Sequence, residues 1–388
     1  MSYLLDLLRK EFGYPSIDEV IEAVKEEQSM SDYKKDVDNM REAMGTLPSQ
    51  APKKTYSWKN SLDSLYVKMN DWTVNPYRAI ASMASATWGD NESGSTGKWE
   101  KLTPENRFRI VLAVLTGNTL PQAAEAVQFT FEVNGTPRHT FDQHARARIG
   151  TAFASIGTRD NNKLDADFLL YPDVCRRMEE DAGYAYEVER WIAMTKDLYE
   201  KTISGGAGTG SWQSGRAFLP MSVNHSYVFT QNYLALKGQC ARRLMACEES
   251  SIVALHIALR ELVGRKFPLL ANYLRPACDG AKRCIYHEGP EGMTKYFSSL
   301  FACCGRWPTK EQYSEFNVSC SSYEELAEHG FTMPGPTEWI KYGENDYDKL
   351  HNRDKALFDE AFTVDNDDMT DDELLCAIFG ENEFDARK

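Results

Sequence analysis

The chain has 388 residues, of which 42% are hydrophobic, 26% charged and 12% aromatic. That balance excludes a mostly disordered, collagen-like or low-complexity chain, because disorder requires low hydrophobicity together with high net charge. Fifty-eight acidic against 44 basic residues give a formal charge of −14, which excludes a protein that coats duplex DNA but leaves room for a local cationic pocket holding one small phosphate.

Residues 1–55 read as a helical extension. Ser16 with Glu19 forms a capping box, Ser29 to Ala43 is polar and helical, and the stretch 45–54 with Pro48 and Pro52 reads as a linker. The start, Met1-Ser-Tyr-Leu-Leu-Asp-Leu-Leu, is amphipathic and lacks the cationic-then-apolar pattern of a secretory signal. No run of about 20 apolar residues occurs, so no membrane span is expected. Nine cysteines, an odd number in a long chain, fit reduced thiols and a cytoplasmic setting better than a disulfide framework.

A core block is expected over 56–275. Asn75 to Trp88 reads as a helix with a small-residue face (Ala79, Ala81, Ala84, Ala86), and Gly89 to Gly97 as a polar loop. Thr103-Pro104 opens a helix running to about Thr116, since threonine caps and proline suits the first turn. Phe129 to Val133 alternates like a strand, and Asn134-Gly135 reads as a turn after it. Thr140 to Ile149 reads as a helix carrying His144, Arg146 and Arg148, and the stretches 175–203 and 217–267 are the longest helical patterns. Between those two lies the glycine-rich Ser204 to Ser211. It lacks a Gly-Lys-Ser/Thr ending and follows a helical pattern rather than a strand, so it reads as a flexible loop or lid.

Beyond 276 the composition changes to an extension rich in cysteine, glycine and proline, strongly acidic from Asp354. Thr370 with Glu373 forms a second capping box before an apolar run. The acidic run Asp365 to Asp368 lacks the glycine and spaced glutamate of a calcium loop. Cys278, Cys284, His287, Cys303 and Cys304 are of zinc-ligand type and Cys278, Cys284, His287 and Cys303 would be the set for a structural zinc, but their spacing is not that of a finger, and buried thiols are the plainer reading. No metal is assigned to the site itself.

The densest chemistry lies between Thr136 and Gly150, where Arg138, Gln143, Arg146 and Arg148 fall within eleven residues. On a helix, Gln143 and Arg146 share a face. An amide donates and accepts, and a guanidinium fork matches phosphate oxygens, so the set suits a base edge plus a phosphate. A helix whose arginines pair with some of the many acids is the plainer reading. His139 and His144 read as structural or surface histidines, with proton shuttling the sharper option, and His256 as a core residue. Trp72, Trp88 and Trp99 read as core, and Tyr227 and Tyr233 as sharing a helix with Asn232.

A second element lies downstream: Arg216, Leu219-Pro220, Asn232 twelve residues after that proline, and Arg243 eleven residues later. Together with Phe129-Thr-Phe131, Arg138, Gln143 and Arg146-Ala-Arg148, this resembles the flavin-dependent thymidylate synthase family, often called ThyX, over roughly residues 70–275. The departures are Ala147 for the middle histidine of an Arg-His-Arg signature, Asn118 for an upstream histidine, and Leu234 for a second arginine after the asparagine. Ser155, Gly157 and Arg159 supply only the outline of a Ser-x-Arg phosphate clamp.

The resemblance implies an α+β fold, a homotetramer with sites shared between subunits, and FAD, NADPH and methylenetetrahydrofolate acting on a deoxypyrimidine monophosphate. It implies that Arg243 is the catalytic arginine. It implies that Gln143, Arg146, Arg216 and Arg243, with Ser155 and Arg159, hold the nucleotide, and that Arg146, Arg148, Asn232 and Glu125 face the cofactors. The expected reaction is one-carbon transfer to C5: dUMP to dTMP or, given the altered positions, hydroxymethylation of dUMP or dCMP. The alternative is a non-catalytic nucleotide-binding or scaffold protein on the same fold. Modified pyrimidines would suit a phage genome.

Overall fold

Aromatic and β-branched residues at every second position, with Phe129, Phe131 and Val133 facing inward, commit one segment to a sheet with one buried face. In the computed structural model the described residues are 57–86, 99–158, 161–204, 209–245, 248–277, 279, 287–288, 292–293, 323–332 and 339–359. All belong to the second of two units into which the chain divides, Tyr56–Lys388.

In chain order the described elements are β1 (Trp58–Asn60), α1 (Ser61–Ser64), β2 (Tyr66–Trp72), α2 (Pro76–Ser85), α3 (Pro104–Thr116), a 3-10 turn (Pro121–Ala126), β3 (Gln128–Pro137), α4 (Arg138–His144), β4 (Thr151–Ser155) and β5 (Phe168–Leu170). There follow α5 (Pro172–Glu180), α6 (Ala182–Ser204), α7 (Thr209–Gly215), a 3-10 turn (Arg216–Phe218), β6 (Asn224–Asn232), α8 (Tyr233–Arg243), α9 (Ser250–Lys266) and α10 (Pro268–Asn272). The last are the short β7 (His287–Glu288) and β8 (Gly292–Met293), α11 (Tyr323–Glu328), a 3-10 turn (Tyr347–Lys349) and α12 (Asn352–Asp359). The mixture of helix and antiparallel sheet is the expected α+β class.

The central sheet runs β2-β3-β6-β4, antiparallel throughout, while β1 pairs β5 in parallel. Its register puts Phe131 opposite Phe229 and Phe153 opposite Phe229, and these three rings stack at 5.3 and 5.6 Å. On the outer face Thr130 and Thr230 meet at 2.9 Å. The helices cover the inner face around one core that reaches from Leu62 to Phe358, so Leu326, Leu350, Leu357 and Phe358 join it from well beyond residue 275. A smaller cluster around Phe168, Ile192 and Val223 lies between β5, α5 and α6.

The helix expected after Thr103 forms as read: Thr103 accepts from Asn106 N–H, and Gly117 closes the end at φ +80°. Asn75 caps α2 likewise. Other expectations are corrected. Asn134-Gly135 is no hairpin turn. It is an irregularity inside β3, where the register with β6 shifts between Val133 and Thr136. Gly135 has φ +69°, and a Cβ there would lie 1.8 Å from the Ser64 carbonyl oxygen, so only glycine fits.

The helix expected over Thr140 to Ile149 stops at His144, leaving Arg146 and Arg148 in the loop to β4. Gln143 and Arg146 therefore do not share a helix face. The stretch 175–203 is two helices, broken at Asp181, whose carboxylate accepts from the N–H groups of Gly183 and Tyr184 and restarts the chain as α6. The stretch 217–267 begins with a strand, β6, so Tyr227 lies on a strand and Asn232 ends it. The capping boxes at Ser16 and Thr370, the loop Gly89–Gly97, the run Asp365–Asp368, Trp88 and residues 205–208 of the glycine-rich segment lie outside the described residues, while Thr209 to Ser211 of that segment open α7 rather than forming a loop.

Candidate functional site

β3 passes directly into α4, and the N–H groups of Arg138 and His139 donate to the carbonyls of Val223 and Met221 at 3.1 Å. The loop after Pro220 is thus tied to the first turn of α4. Glu249 ties the same turn to α9. It caps α9 by accepting from Ser251 and Ile252 N–H at 2.6 and 3.1 Å, and it also accepts from the Thr140 hydroxyl at 3.3 Å. His139 lies between Met221 O, Tyr171 OH and Glu249. Burial is the main cause that pushes the Tyr171 phenol up, reinforced by the Glu249 charge.

The last turn of α4 then meets the last turn of α8. Arg243 donates from Nη1 to Gln143 Oε1 at 3.4 Å, across 100 residues of sequence, and pairs closely with Glu248. Arg243 and Glu248 are each about a quarter exposed, at 24% and 22%. Around this pair the other arginines divide by partner. Arg138 is bonded to Asp142 at 3.0 Å. Arg146, Arg148 and Arg216 are exposed, and none has an acidic partner among the described residues. Cations left open on an acidic protein suit an anionic ligand.

The remaining expected residues are scattered. Arg216 stands on the 3-10 turn before Leu219-Pro220 and makes no contact with Gln143 or Arg243 among those described. Ser155 is the exposed last residue of β4. Glu125 is exposed beside the start of β3, its backbone carbonyl accepting from the Gln128 amide at 3.2 Å. Asn232 is only 7% exposed and its side-chain oxygen is committed. It accepts from Ala235 N–H at 2.8 Å as the cap of α8 and lies where a Cβ on Gly150 (φ +69°) would meet it at 2.4 Å. Arg159 lies outside the described residues, as do Cys278, Cys284, Cys303 and Cys304, and of His287 only the backbone is described. Among the described residues no group of histidine, cysteine, aspartate or glutamate is arranged to hold a metal ion.

Tested against a flavin dinucleotide, Arg146 and Arg148, exposed and without an acidic partner among the described residues, fit its anionic diphosphate, whereas Asn232 could offer only its N–H donors because its oxygen already caps α8. Tyr227 and Tyr233 are 2% and 0% exposed and belong to the core, as do Trp99 and His256. Trp72 is partly buried under Lys266. Glu248 and Glu249 were the residues not singled out from the sequence. Their signal was an acidic pair directly before Ser250-Ser251 and an apolar helical run, which is a helix-start pattern.

An α+β frame with an arginine-and-glutamine rim defines a protein suited to a small anionic ligand. The family model described as thymidylate synthase complementing protein matches residues 68–269. The chain belongs to that family and is a thymidylate synthase-like transferase. Two solved structures with a similar fold are of the UMP/dUMP methylase PolB from Streptomyces cacaoi. The form bound with 5-Br dUMP has 15% identity, covering 56% of this chain and 96% of that one at a TM-score of 0.42. The form bound with 5-Br UMP has 14% identity, covering 56% and 95% at a TM-score of 0.41. No curated protein shows significant similarity to the chain. Among the described residues no helix is long and apolar enough to cross a membrane.

Proposed function

We propose that this chain transfers a one-carbon unit to C5 of a deoxypyrimidine monophosphate. The observation that carries the reading is the meeting of Gln143 and Arg243 at 3.4 Å, at residues separately expected to hold the nucleotide. Arg243 stabilises negative charge on the pyrimidine ring near N3, which makes C5 more nucleophilic. Gln143 orients the base or sugar. Arg146 and Arg216 hold the phosphate as charge-assisted forks, with Ser155 and Arg159 beside them. Arg148, Glu125 and Asn232 face the cofactor side. Methylenetetrahydrofolate supplies the carbon, and FAD with NADPH supplies the reducing electrons.

Ala147 and Asn118, which stand where the family has histidines, support a variant ending. Carbon–carbon bond formation at C5, with loss of the C5 proton and cleavage of the carbon–nitrogen bond that releases tetrahydrofolate, would leave an exocyclic methylene. Hydride capture gives a methyl group; addition of water across it gives hydroxymethyl without net reduction. The activity is assigned to residues 56–275, with Leu326, Leu350, Leu357 and Phe358 of the extension 276–388 completing the same core; in the non-catalytic reading the N-terminal extension and the acidic tail are partner surfaces. The assembly proposed is a cytoplasmic homotetramer. Trp191, Met194 and Leu198, exposed by 40, 55 and 40% along one side of α6, support self-association.

The test is the visible absorption spectrum before and after adding FAD, followed by mass spectrometry of dUMP and dCMP incubated with the folate. Flavin peaks and a hydroxymethyl product are expected. A methyl product alone from dUMP would remove the variant ending. Failure to bind either flavin or nucleotide would leave the non-catalytic reading.

A further inference from the structure

Directly behind Gln143 and Arg243 lies a chain of four buried polar side chains from four elements. They are Tyr227 of β6, His144 of α4, Gln239 of α8 and His256 of α9, none more than 9% exposed. The Tyr227 hydroxyl is 2.9 Å from His144 Nδ1. The two imidazoles are 5.3 Å apart between centroids. His256 Nδ1 is 2.8 Å from the Ile252 carbonyl oxygen, and His256 Nε2 is 3.1 Å from the Gln239 side-chain amide. Gln239 also lies close enough to His144 to act on its ionisation. With Gln239 Oε1 turned to His256, both His144 Nε2 and Gln239 Nε2 are buried without a partner.

The directions of these bonds follow from the carbonyl. Ile252 O only accepts, so His256 carries its proton on Nδ1 and has a lone pair on Nε2. Burial pushes His256 down to about 4 and His144 well below the ordinary value, so both rings are neutral. An amide oxygen facing His256 Nε2 would set two lone pairs against each other. Exchanging the amide oxygen and nitrogen removes that clash and gives both orphaned atoms a partner.

We infer a single directed bridge that positions the Gln143–Arg243 pair: Tyr227 O–H donates to His144 Nδ1, His144 Nε2–H to Gln239 Oε1, Gln239 Nε2–H to His256 Nε2, and His256 Nδ1–H to Ile252 O. His144 is the chain neighbour of Gln143, and Gln239 lies one helical turn before Arg243. The bridge fixes how the last turns of α4 and α8 face each other, and so the separation of the two ligand-facing groups. These are positioning residues, and the positioning role rests on the nucleotide site proposed above.

The first test is nitrogen-15 NMR of the full chain labelled at histidine. His144 is expected as the Nε2–H tautomer and His256 as the Nδ1–H tautomer. A His144 proton on Nδ1 would overturn the bridge whatever the protein binds. The second test is calorimetric titration with dUMP. Gln239→Met is expected to weaken binding at least tenfold, while Phe168→Leu, in the separate smaller core cluster, leaves affinity unchanged at a comparable loss of Tm. His144→Asn should lose affinity, and His144→Gln with Tyr227→Phe should recover most of it. That pair keeps a donor toward Gln239 and removes the hydroxyl left without an acceptor. Wild-type affinity in Gln239→Met would overturn the positioning role. With the tautomers as expected, absence of dUMP binding by the wild-type chain would instead overturn the nucleotide reading and the positioning role with it.

Discussion

Two groups of polar side chains in this molecule use similar residues in opposite ways. Around α12, Arg107 is 5% exposed and donates to the carbonyls of Trp99 and Phe358, with its guanidinium 4.6 Å from the Trp99 ring centroid. Asp354, 1% exposed, accepts from the Tyr77 hydroxyl and from Leu269 N–H. There the charged groups are turned inward and spent on backbone and aromatic partners. At the rim of α4 and α8, Arg243 keeps a quarter of its side chain exposed, and Arg146, Arg148 and Arg216 face solvent. A cation whose bonds are closed internally stabilises the fold; one left open is available to a ligand. Residue type alone does not separate the two, and burial with partner geometry does.

The contrast is broken most directly by exchanging outcomes between Arg243 and Arg107. Arg243→Ala is expected to lower turnover by about 10²–10³-fold, the cost of removing one preorganised donor from developing charge, with little change in unfolding midpoint. Arg107→Ala removes the donor to the Phe358 carbonyl and one of the two donors to Trp99 O, which keeps Leu102 N–H, and it empties the space over the Trp99 ring. It is expected to cost about 2–5 kcal/mol of stability, with unchanged turnover per folded molecule. Denaturant titration beside initial-rate assays checks both. Loss of turnover in a fully folded Arg107→Ala protein would erase the distinction.

The second expectation concerns pH. Burial pushes the Asp354 carboxyl up from 3.8 to about 7 and the His256 imidazole down from 6.5 to about 4. The folded state therefore holds the Asp354 proton between about 4 and 7 while the unfolded chain has released it. That stability is present in acid and lost as pH rises through 7. His256 has the reverse sign: its stability is present above 6.5 and lost as pH falls toward 4. The two slopes oppose each other, so Asp354→Asn should unmask the histidine slope. From pH 5 to 8 the variant is expected to gain on the wild type by a few kcal/mol, read from urea unfolding at several pH values. Parallel curves would mean that Asp354 does not titrate in this range.

At the rim the expected changes are smaller and act on binding. Arg146→Ala and Arg216→Ala should each weaken dUMP by about 10–100-fold, the range of a charge-assisted hydrogen bond, and each should flatten the dependence of affinity on salt. Calorimetry at two ionic strengths measures this. An unchanged affinity for Arg216→Ala would separate it from the site, which its lack of contact with Gln143 and Arg243 makes a sharp test.

These variants also mark what could be read in the sequence. Thr103-Pro104 and the alternation from Phe129 to Val133 declared their elements locally, because a cap and a period-two pattern need no tertiary context. The strand β6 was hidden because its inward positions include His225 and Gln231 beside Tyr227 and Phe229, so its buried face is half polar. The early end of α4 at His144 was hidden for a related reason. That histidine is buried against Tyr227 and His256, and an inward-facing partner 83 or more residues away is not visible in a local window. Gln143 stood out by its arginine neighbours, and Arg243 only through the family resemblance, as candidates for holding a ligand. Their meeting, and the part of Glu248 in it, required the fold.

Glu248 carries the smallest expected effect and the finest comparison. Its carboxylate holds the Arg243 guanidinium where both side chains are only about a quarter exposed, so water and salt screen the pair in part and not fully. An incoming anionic nucleotide competes with that carboxylate for the same fork. Glu248→Gln keeps the shape and an acceptor oxygen but removes the charge, so dUMP is expected to bind up to about fivefold more tightly, with the gain shrinking at high salt. If Glu248 instead serves to hold Arg243 in its ligand-facing arrangement, the same variant binds more weakly at every salt concentration. The sign of that change decides whether the rim behaves like the inward-turned cluster around Asp354, with charges fixed by each other, or as a site whose internal pair yields to its ligand.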